Sequence, residues 1–483
     1  MSYSVAFALP AYSRPIGSGA PNPFTQSGPT LDLIFTGAAQ VDNTFVGASL
    51  GLNFLTQQYQ LPAQYSVWVD GVGLTSKSFS DIVTFWRASA ATYFDATGTL
   101  QTAATGTPRF DHDPVTLAPL GFLIEEARTN AVRNNTMQGT IAGTPGTLPT
   151  NWVITGSGTG TLVRNIVGVG TSQGITYIDI QFSGITSTTG FNVSFEPTVG
   201  APAATPGDVF TAANYIAIVG GSTTNITAIR AVTMTGRTSL GAATTDGSNS
   251  GDNKATLTST LQRFSVTDSV TGAATAGMQP GMGFTFPIGV AIDITIRIGL
   301  PQLELGYFST SVIPTAGAAV TRAGEVANIY PMDPWYNQTE GTVFAQFKAV
   351  NATPPTPQTI WQLVGTTTQD GVFTSRYALY NELFCAVKVG GLIGASILTD
   401  NSIPPYTVAK TAVAIKVKQD TAALNGVLKE PAFDTNTVMP SIDNVNLGNY
   451  FDGTYARYLN GHLQRITYYP RRLANYELQA LTV

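Results

Sequence analysis

The chain has 483 residues, 24 basic and 29 acidic, for a net charge of −5; only 11% are charged and 43% are hydrophobic. This balance offers no basic field for a phosphate backbone, which argues against a nucleic-acid partner. At roughly 100–200 residues per domain the length predicts two to four domains.

Gly (49) and Pro (28) supply abundant turn punctuation and few helix formers, so an all-β, multidomain chain is expected. One cysteine, Cys385, excludes an internal disulfide framework and a Cys-rich zinc site, and between Phe384 and Ala386 it reads as a small buried hydrophobe. No run of 18 apolar residues predicts a transmembrane helix. Met1 to Pro10 lacks the basic start of a secretory signal, so synthesis in a cytoplasm is expected.

Residues 1–30 carry Pro10, Pro15, Pro21, Pro23 and Pro29 and cannot form a helix or central strand. The segment reads either as a free tail or as an attachment arm for a neighbouring subunit, anchored by Tyr3, Phe7, Tyr12 and Phe24. Residues 31–135 read as a β-rich attachment region and junction. Leu31-Leu33-Phe35, Leu52 to Leu55 and Tyr65-Val67-Val69 are its predicted strands. Gly47-Ala48-Ser49-Leu50-Gly51 matches the G-x-S-x-G string, but a β-like run follows it where a nucleophile elbow needs a helix.

Residues 136–320 form a second block. Ile178-Ile180-Phe182 and Ile292-Ile294-Ile296-Ile298 alternate with polar residues, the pattern of half-buried antiparallel strands in a two-sheet sandwich. Gly168-Val169-Gly170 and Gly156-Ser157-Gly158 lack a βαβ context and read as turns. The third block is 321–483. Val343-Ala345-Phe347 and Val413-Ile415-Val417 alternate, and Asn425-Gly426 and Asn460-Gly461 each predict a type I′ hairpin. Leu473, Glu477, Leu478 and Leu481 suit one or two amphipathic helical turns.

Arg109, Asp111, His112, Asp113, Glu125, Glu126, Arg128 and Arg133 form the densest polar cluster. Asp111-x-Asp113 has the spacing of two hard oxygen ligands. A basic neighbour for each acid favours a salt-bridged domain junction instead, with no metal and no cofactor. Glu125 and Glu126 are adjacent and cannot form a glycosidase pair, and Asp179, Glu196, Asp293 and Glu304 stand isolated in the sequence. No catalytic set converges. Aromatic candidates for stacking on sugars are Trp152, Trp335, Trp361, Tyr377 and Tyr380, with Trp335 the best placed for exposure in a loop-like run. Asp452-Gly453 reads as a turn dipeptide, although loops of this kind hold calcium in some lectin-like folds.

Three stretches resemble structural proteins of tailed bacteriophages and prophages. They are Thr84-Phe85-Trp86-Arg87-Ala88-Ser89 with Ala91 to Asp95, Pro108 to Pro114, and Gly121 to Asn130. The resemblance implies a carbohydrate-binding-module-like jelly roll over 136–320, closing near Pro301 to Gly306 and Ser311 to Thr315. It implies a concanavalin A-like (laminin-G-like) sandwich over 321–483, closing at Leu459 to Leu463 and Arg465 to Tyr469. Where lectin-like relatives carry an acid after Leu463, this chain has Gln464. The implied role is a non-enzymatic virion protein, a tail fibre or tail-associated protein adhering to host surface glycans. It would assemble with other virion subunits through the arm, as a homo-oligomer (a trimer favoured), without membrane insertion. A capsid decoration or head fibre is the alternative, and a glycan depolymerase a third reading.

Overall fold

The structure, a computed structural model, describes residues 47–62, 74–349, 357–367, 369–377, 382–451 and 456–483. The arm 1–30, the strands predicted at 31–35 and 65–69, Tyr380 and Asp452-Gly453 lie outside the described residues. The fold is all-β, built from antiparallel sheets. Two helices occur among the described residues, Phe79–Ile82 and Asn475–Thr482, and neither is long and apolar enough to cross a membrane.

The central sandwich stacks a four-stranded on a five-stranded sheet. The first runs Val153–Gly156, Gly190–Ser194, Gly277–Thr285, Ala228–Arg237. The second runs Val163–Ser172, Ile175–Ile185, Ala291–Leu305, Val209–Ser222, Gln262–Ser269. The alternation read from the sequence sets the register. Ile178 faces Ile298, Ile180 faces Ile296 and Phe182 faces Ile294, all fully buried in one core with Phe191, Val193 and Phe284. Gly168 and Gly170, expected in a turn, lie instead within the Val163–Ser172 strand, beyond a bulge at Ile166/Gly168. A bulge accommodates the flexible glycine backbone without ending the strand.

The larger sandwich pairs an eight-stranded with a ten-stranded sheet around a core containing Trp361, Phe347, Leu463 and Ile466. Its membership crosses the expected boundary at 135. Leu50–Asn53 pairs with Gly461–Tyr469 (Leu52 opposite Ile466), Pro119–Ile124 pairs with the start of the same strand, and Val83–Trp86 pairs with Val326–Ile329. Residues expected to form a separate attachment region therefore complete both sheets of the C-terminal sandwich. Periodicity identifies a strand and its buried face, but not its partner. On the outside of the ten-stranded sheet the Asn475–Thr482 helix packs Leu478, with Leu473, over Phe344, Ala412 and Ala414. Cys385 is buried, and burial pushes its thiol up to about 12.

The two Asn-Gly pairs part company. Asn425 (φ 47°) and Gly426 (φ 81°) link Thr421–Leu424 to Val427–Lys429 with Leu424 opposite Val427, a two-residue hairpin with both φ values positive. Asn460 has φ 47°, but Gly461 already belongs to Gly461–Tyr469, whereas the preceding Ala456–Tyr458 pairs with Asn449–Phe451. Asn460-Gly461 is thus a corner between sheets, not a hairpin. Gly461 is required for another reason: a Cβ there would stand 2.3 Å from the Lys348 carbonyl oxygen across the sheet. Gly461→Ala is expected to cost about 1–3 kcal/mol by overpacking. The thermal transition of the C-terminal sandwich should fall by several degrees, and an unchanged transition would refute the close approach.

Candidate functional site

The outward face of the five-stranded central sheet carries the site. Because Ile178, Ile180, Ile294 and Ile296 point to the core, Tyr177, Asp179 and Gln181 on one strand and Asp293, Thr295 and Arg297 on the next share the opposite face. Asp179 and Arg297 are direct cross-strand partners. The guanidinium donates Nε–H to Oδ1 and an Nη–H to Oδ2, both at 2.8 Å, a bidentate pair. The Asp179 carboxylate raises the Arg297 pKa. The same guanidinium lies 3.5 Å from the centroid of the Tyr177 ring. The ring rests across Gly170, where a Cβ would come within 2.5 Å of the Tyr177 hydroxyl. Glycine at that ladder position lets the ring lie against the sheet.

An amide row continues from this group. Gln181 donates Nε2–H to Asp293 (2.9 Å) and accepts from Asn165 Nδ2 (3.4 Å). Tyr177, Gln181, Thr295 and Arg297 are half-buried and Asp293 is exposed, so the face is open. At one end it is closed off: the Ala91–Phe94/Leu100–Ala103 hairpin packs Phe94 and Leu100 near Tyr215, Ile175 and Val312. The result is a bounded polar surface with one aromatic ring, fixed charge and several amides. Its chemistry suits polyhydroxylated ligands. Sequence reading saw Asp179 and Asp293 as isolated because their partners lie more than 100 residues away.

The aromatic residues singled out in the sequence lie elsewhere. Trp152 (4% exposed), Trp335 (1%) and Trp361 (0%) are core residues, so none of them can stack on a sugar. Trp152 packs on Phe195 at 4.6 Å and donates its indole N–H to the Asn134 carbonyl. Trp335, expected to be exposed, stands edge-on to Tyr468 at 5.4 Å, and its carbonyl accepts the hydroxyl of Ser49 at 2.6 Å. That bond also occupies the serine of the G-x-S-x-G string, which is fully buried. Tyr377 is half-buried, 5.8 Å from Phe384.

The polar cluster spreads along the junction between the sandwiches. Arg109, fully buried, donates to Glu325 (2.8 and 2.7 Å), Glu125 (2.9 Å), Ser311 Oγ (2.7 Å) and the Thr92 carbonyl (2.8 Å). Arg87 also donates to Glu325 (2.8 Å), Arg322 pairs with Glu125, and Arg128 pairs with Glu126. Sequence reading missed Arg87, Arg322, Ser311 and Glu325. Arg133 turns away to Glu196. Asp111 accepts from the Phe94 amide (2.7 Å) and lies 2.9 Å from His462 Nε2. His112 Nδ1 lies 3.3 Å from the Phe94 carbonyl. Asp113 accepts the Val115 and Thr116 amides, an Asx turn. Asp111 and Asp113 therefore serve different partners, and no cluster of three metal-ligating side chains occurs among the described residues. Gln464 is buried, donating to the Leu120 carbonyl and accepting from Gln346 (2.7 Å), so it ties three strands together.

No protein-family model matches the chain, and no curated protein sequence matches it. Among solved structures, it is similar to the CBM40 of the Ruminococcus gnavus IT-sialidase bound to alpha2,3 sialyllactose. That match has 19% identity over 30% of this chain and 83% of that one, with a TM-score of 0.27. It is also similar to the CBM22-1-CBM22-2 tandem domain of Paenibacillus barcinonensis Xyn10C, at 11% identity, 70% and 99% coverage, and a TM-score of 0.21. A third is the SAP-like pentraxin from Limulus polyphemus, at 13% identity, 29% and 68% coverage, and a TM-score of 0.24. At these TM-scores the similarity assigns no activity to this chain.

Proposed function

We propose that the chain is a non-enzymatic, glycan-binding structural protein of a bacteriophage virion, a tail fibre or tail-associated protein that meets host surface glycans through its central sandwich. The observation that carries the binding role is the Tyr177–Arg297–Asp179 group with the Asn165–Gln181–Asp293 row beside it on an open sheet face. The virion setting is supported by the junction motifs, and by a charge-poor composition suited to packing among subunits. Assembly through the N-terminal arm as a homo-oligomer, a trimer favoured, belongs to the same reading.

A binding role also fits the acids on this face. Asp179 is paired with Arg297, and Asp293 stands opposite Ser183, four ladder positions further along. That separation is roughly 13 Å along the strands. A glycosidase pair needs about 5–10 Å.

Incubating the protein with purified host capsular polysaccharide or lipopolysaccharide glycan tests both parts. Binding is expected, with no release of new reducing ends. Tyr177→Ala should weaken binding several-fold to about ten-fold, because it removes the ring on which the Arg297 guanidinium rests and so loosens the charged group of this face. Full affinity in Tyr177→Ala would remove this face from the reading. Release of oligosaccharide by contaminant-free protein would replace adhesion with depolymerisation.

A further inference from the structure

Of the tryptophans at 86, 152, 335 and 361, Trp86 alone is exposed, at 61%. It sits on Val83–Trp86, the edge strand of the eight-stranded sheet, whose Val83 and Phe85 turn inward to the core. Thr84 and Trp86 therefore face out. The neighbouring strands extend the same face. Thr84 is opposite Asn328, Asn328 is opposite Asn446, and Asn446 is opposite Gln362. Ala327, Ile329, Val445, Leu447, Trp361 and Leu363 between these residues all point to the core.

The result is a straight polar row, Thr84–Asn328–Asn446–Gln362, running across four strands with the Trp86 indole at its open end. Three inter-strand steps span roughly 14 Å. Asn446 Nδ2 donates to Gln362 Oε1 at 3.0 Å, which fixes the half-buried Asn446 amide, whose oxygen accepts no hydrogen bond from the described residues. Asn328 is half-buried and makes no side-chain hydrogen bond to the described protein. The far end is walled. Phe373, paired with Gln362, lies under Tyr450 at 5.1 Å, and Arg457 caps that ring at 5.1 Å.

We propose that this face is a second carbohydrate site, specific for a neutral oligosaccharide, with Trp86 as the stacking platform and Asn328 and Asn446 as the hydroxyl-binding amides. The argument has two parts. A large indole held in water on a regular strand has lost the burial that normally stabilises tryptophan; opposite it stands the half-buried Val326, and beyond that single side chain the row is amides and a hydroxyl, not a continuous apolar patch. A protein-docking patch would need contiguous apolar surface around the ring. Secondly, no residue of the row is ionisable. The nearby Arg87 and Glu325 are fully buried and paired with each other, and Arg457 lies over the Tyr450 ring at the walled end, so around Trp86 the face offers hydrogen bonds and no charge. An acidic sugar stacked on Trp86 would bring an anion to the end of the row opposite Arg457, with no cation beside it. The site is separate from the Tyr177–Arg297 face, and either can fail without the other.

The full chain is titrated with a panel of neutral gluco-, manno- and galacto-oligosaccharides, and with sulfated and carboxylated oligosaccharides, reading calorimetric heat and tryptophan fluorescence. A neutral oligosaccharide is expected to bind and to shift the fluorescence. Trp86→Ala should abolish the shift and weaken binding about ten-fold or more, Trp86→Tyr should retain most of the affinity, and Asn328→Ala should weaken it several-fold. Tyr177→Ala should leave this binding intact. The proposal is overturned if no neutral oligosaccharide binds, if only charged ones do, or if Trp86→Ala binds as well as the parent chain. Loss in Tyr177→Ala with no change in Trp86→Ala would assign all binding to the central sandwich.

Discussion

Glu325→Ala is expected to be among the most damaging single substitutions in the described chain. Its carboxylate is fully buried and receives Arg87 (2.8 Å), Arg109 twice (2.8 and 2.7 Å) and the Glu125 backbone amide (3.0 Å). Removing it leaves two guanidinium groups in a fully buried junction, Arg87 with no acidic partner and Arg109 with Glu125 as its remaining acid. Breaking a buried ion pair costs about 3–5 kcal/mol because the surviving charge keeps its desolvation penalty. At this domain size the melting temperature should fall by on the order of 10 °C. A shift within a degree of the parent would show that the network carries no stability. The triple variant Arg87→Met, Arg109→Met and Glu325→Leu should recover part of the loss, because it leaves no stranded cation and Glu125 keeps Arg322. The same network resists acid. Burial pushes the Glu125 carboxyl up, but the charges of Arg322 and Arg109 outweigh it and hold the group well below the usual carboxylate range. Its stabilising contribution is complete above the unfolded-state pKa, near 4.3, and is lost only as pH falls through the depressed folded value.

That junction also marks how far sequence alone reaches. Proximity in sequence pairs Arg109 with Glu125, which it does meet, but Glu325 lies 216 residues away and Arg322 reaches Glu125 across 197. Spacing carries no information at that range. Local patterns did better wherever one strand's own alternation decides its inner face, as in Ile292 to Ile298, and wherever a turn joins adjacent strands, as in Asn425-Gly426. They misled at Asn460-Gly461, where the dipeptide has hairpin chemistry but its flanking strands belong to different sheets. Trp335 misled for a related reason. Its Pro-rich surroundings read as surface loop, yet that loop folds back beneath Tyr468. Trp86 lies in the Thr84 to Ser89 stretch, where nothing local separates it from a core tryptophan. Its exposure follows from being at a sheet edge, and the edge is formed by pairing with Val326–Ile329, far along the chain.

Stability of the C-terminal sandwich should rise as pH falls from about 8 to about 4.5, opposite to the trend the ion-pair network imposes at lower pH. The cause is Asp420, 3% exposed, beside an apolar wall of Cys385, Val387, Ile397 and Ile415. Burial pushes its carboxyl up to about 7. One backbone hydrogen bond, from the Lys416 amide to Oδ1 at 2.9 Å, opposes the shift, as does Arg472. The negative charge of Asp434 adds to the shift; both oxygens of that carboxylate are buried with no hydrogen-bond partner among the described residues. A folded pKa above the unfolded value near 3.9 means the native state holds an extra proton between about pH 4 and 7. Stability contributed by that proton is full below the unfolded value and is lost as pH rises through 7. A shift of this size corresponds to on the order of 4 kcal/mol. Glu196, also raised by burial, acts in the same direction in the central sandwich, so the readout must be specific to Asp420. Asp420→Asn keeps the shape and removes the charge. It should raise the melting temperature of the C-terminal sandwich by several degrees at pH 8, leave it nearly unchanged at pH 4.5, and flatten the dependence between them. A profile with the parent's slope in Asp420→Asn would place the titrating group elsewhere, and a parent profile that rises with pH would contradict the buried protonated carboxyl outright.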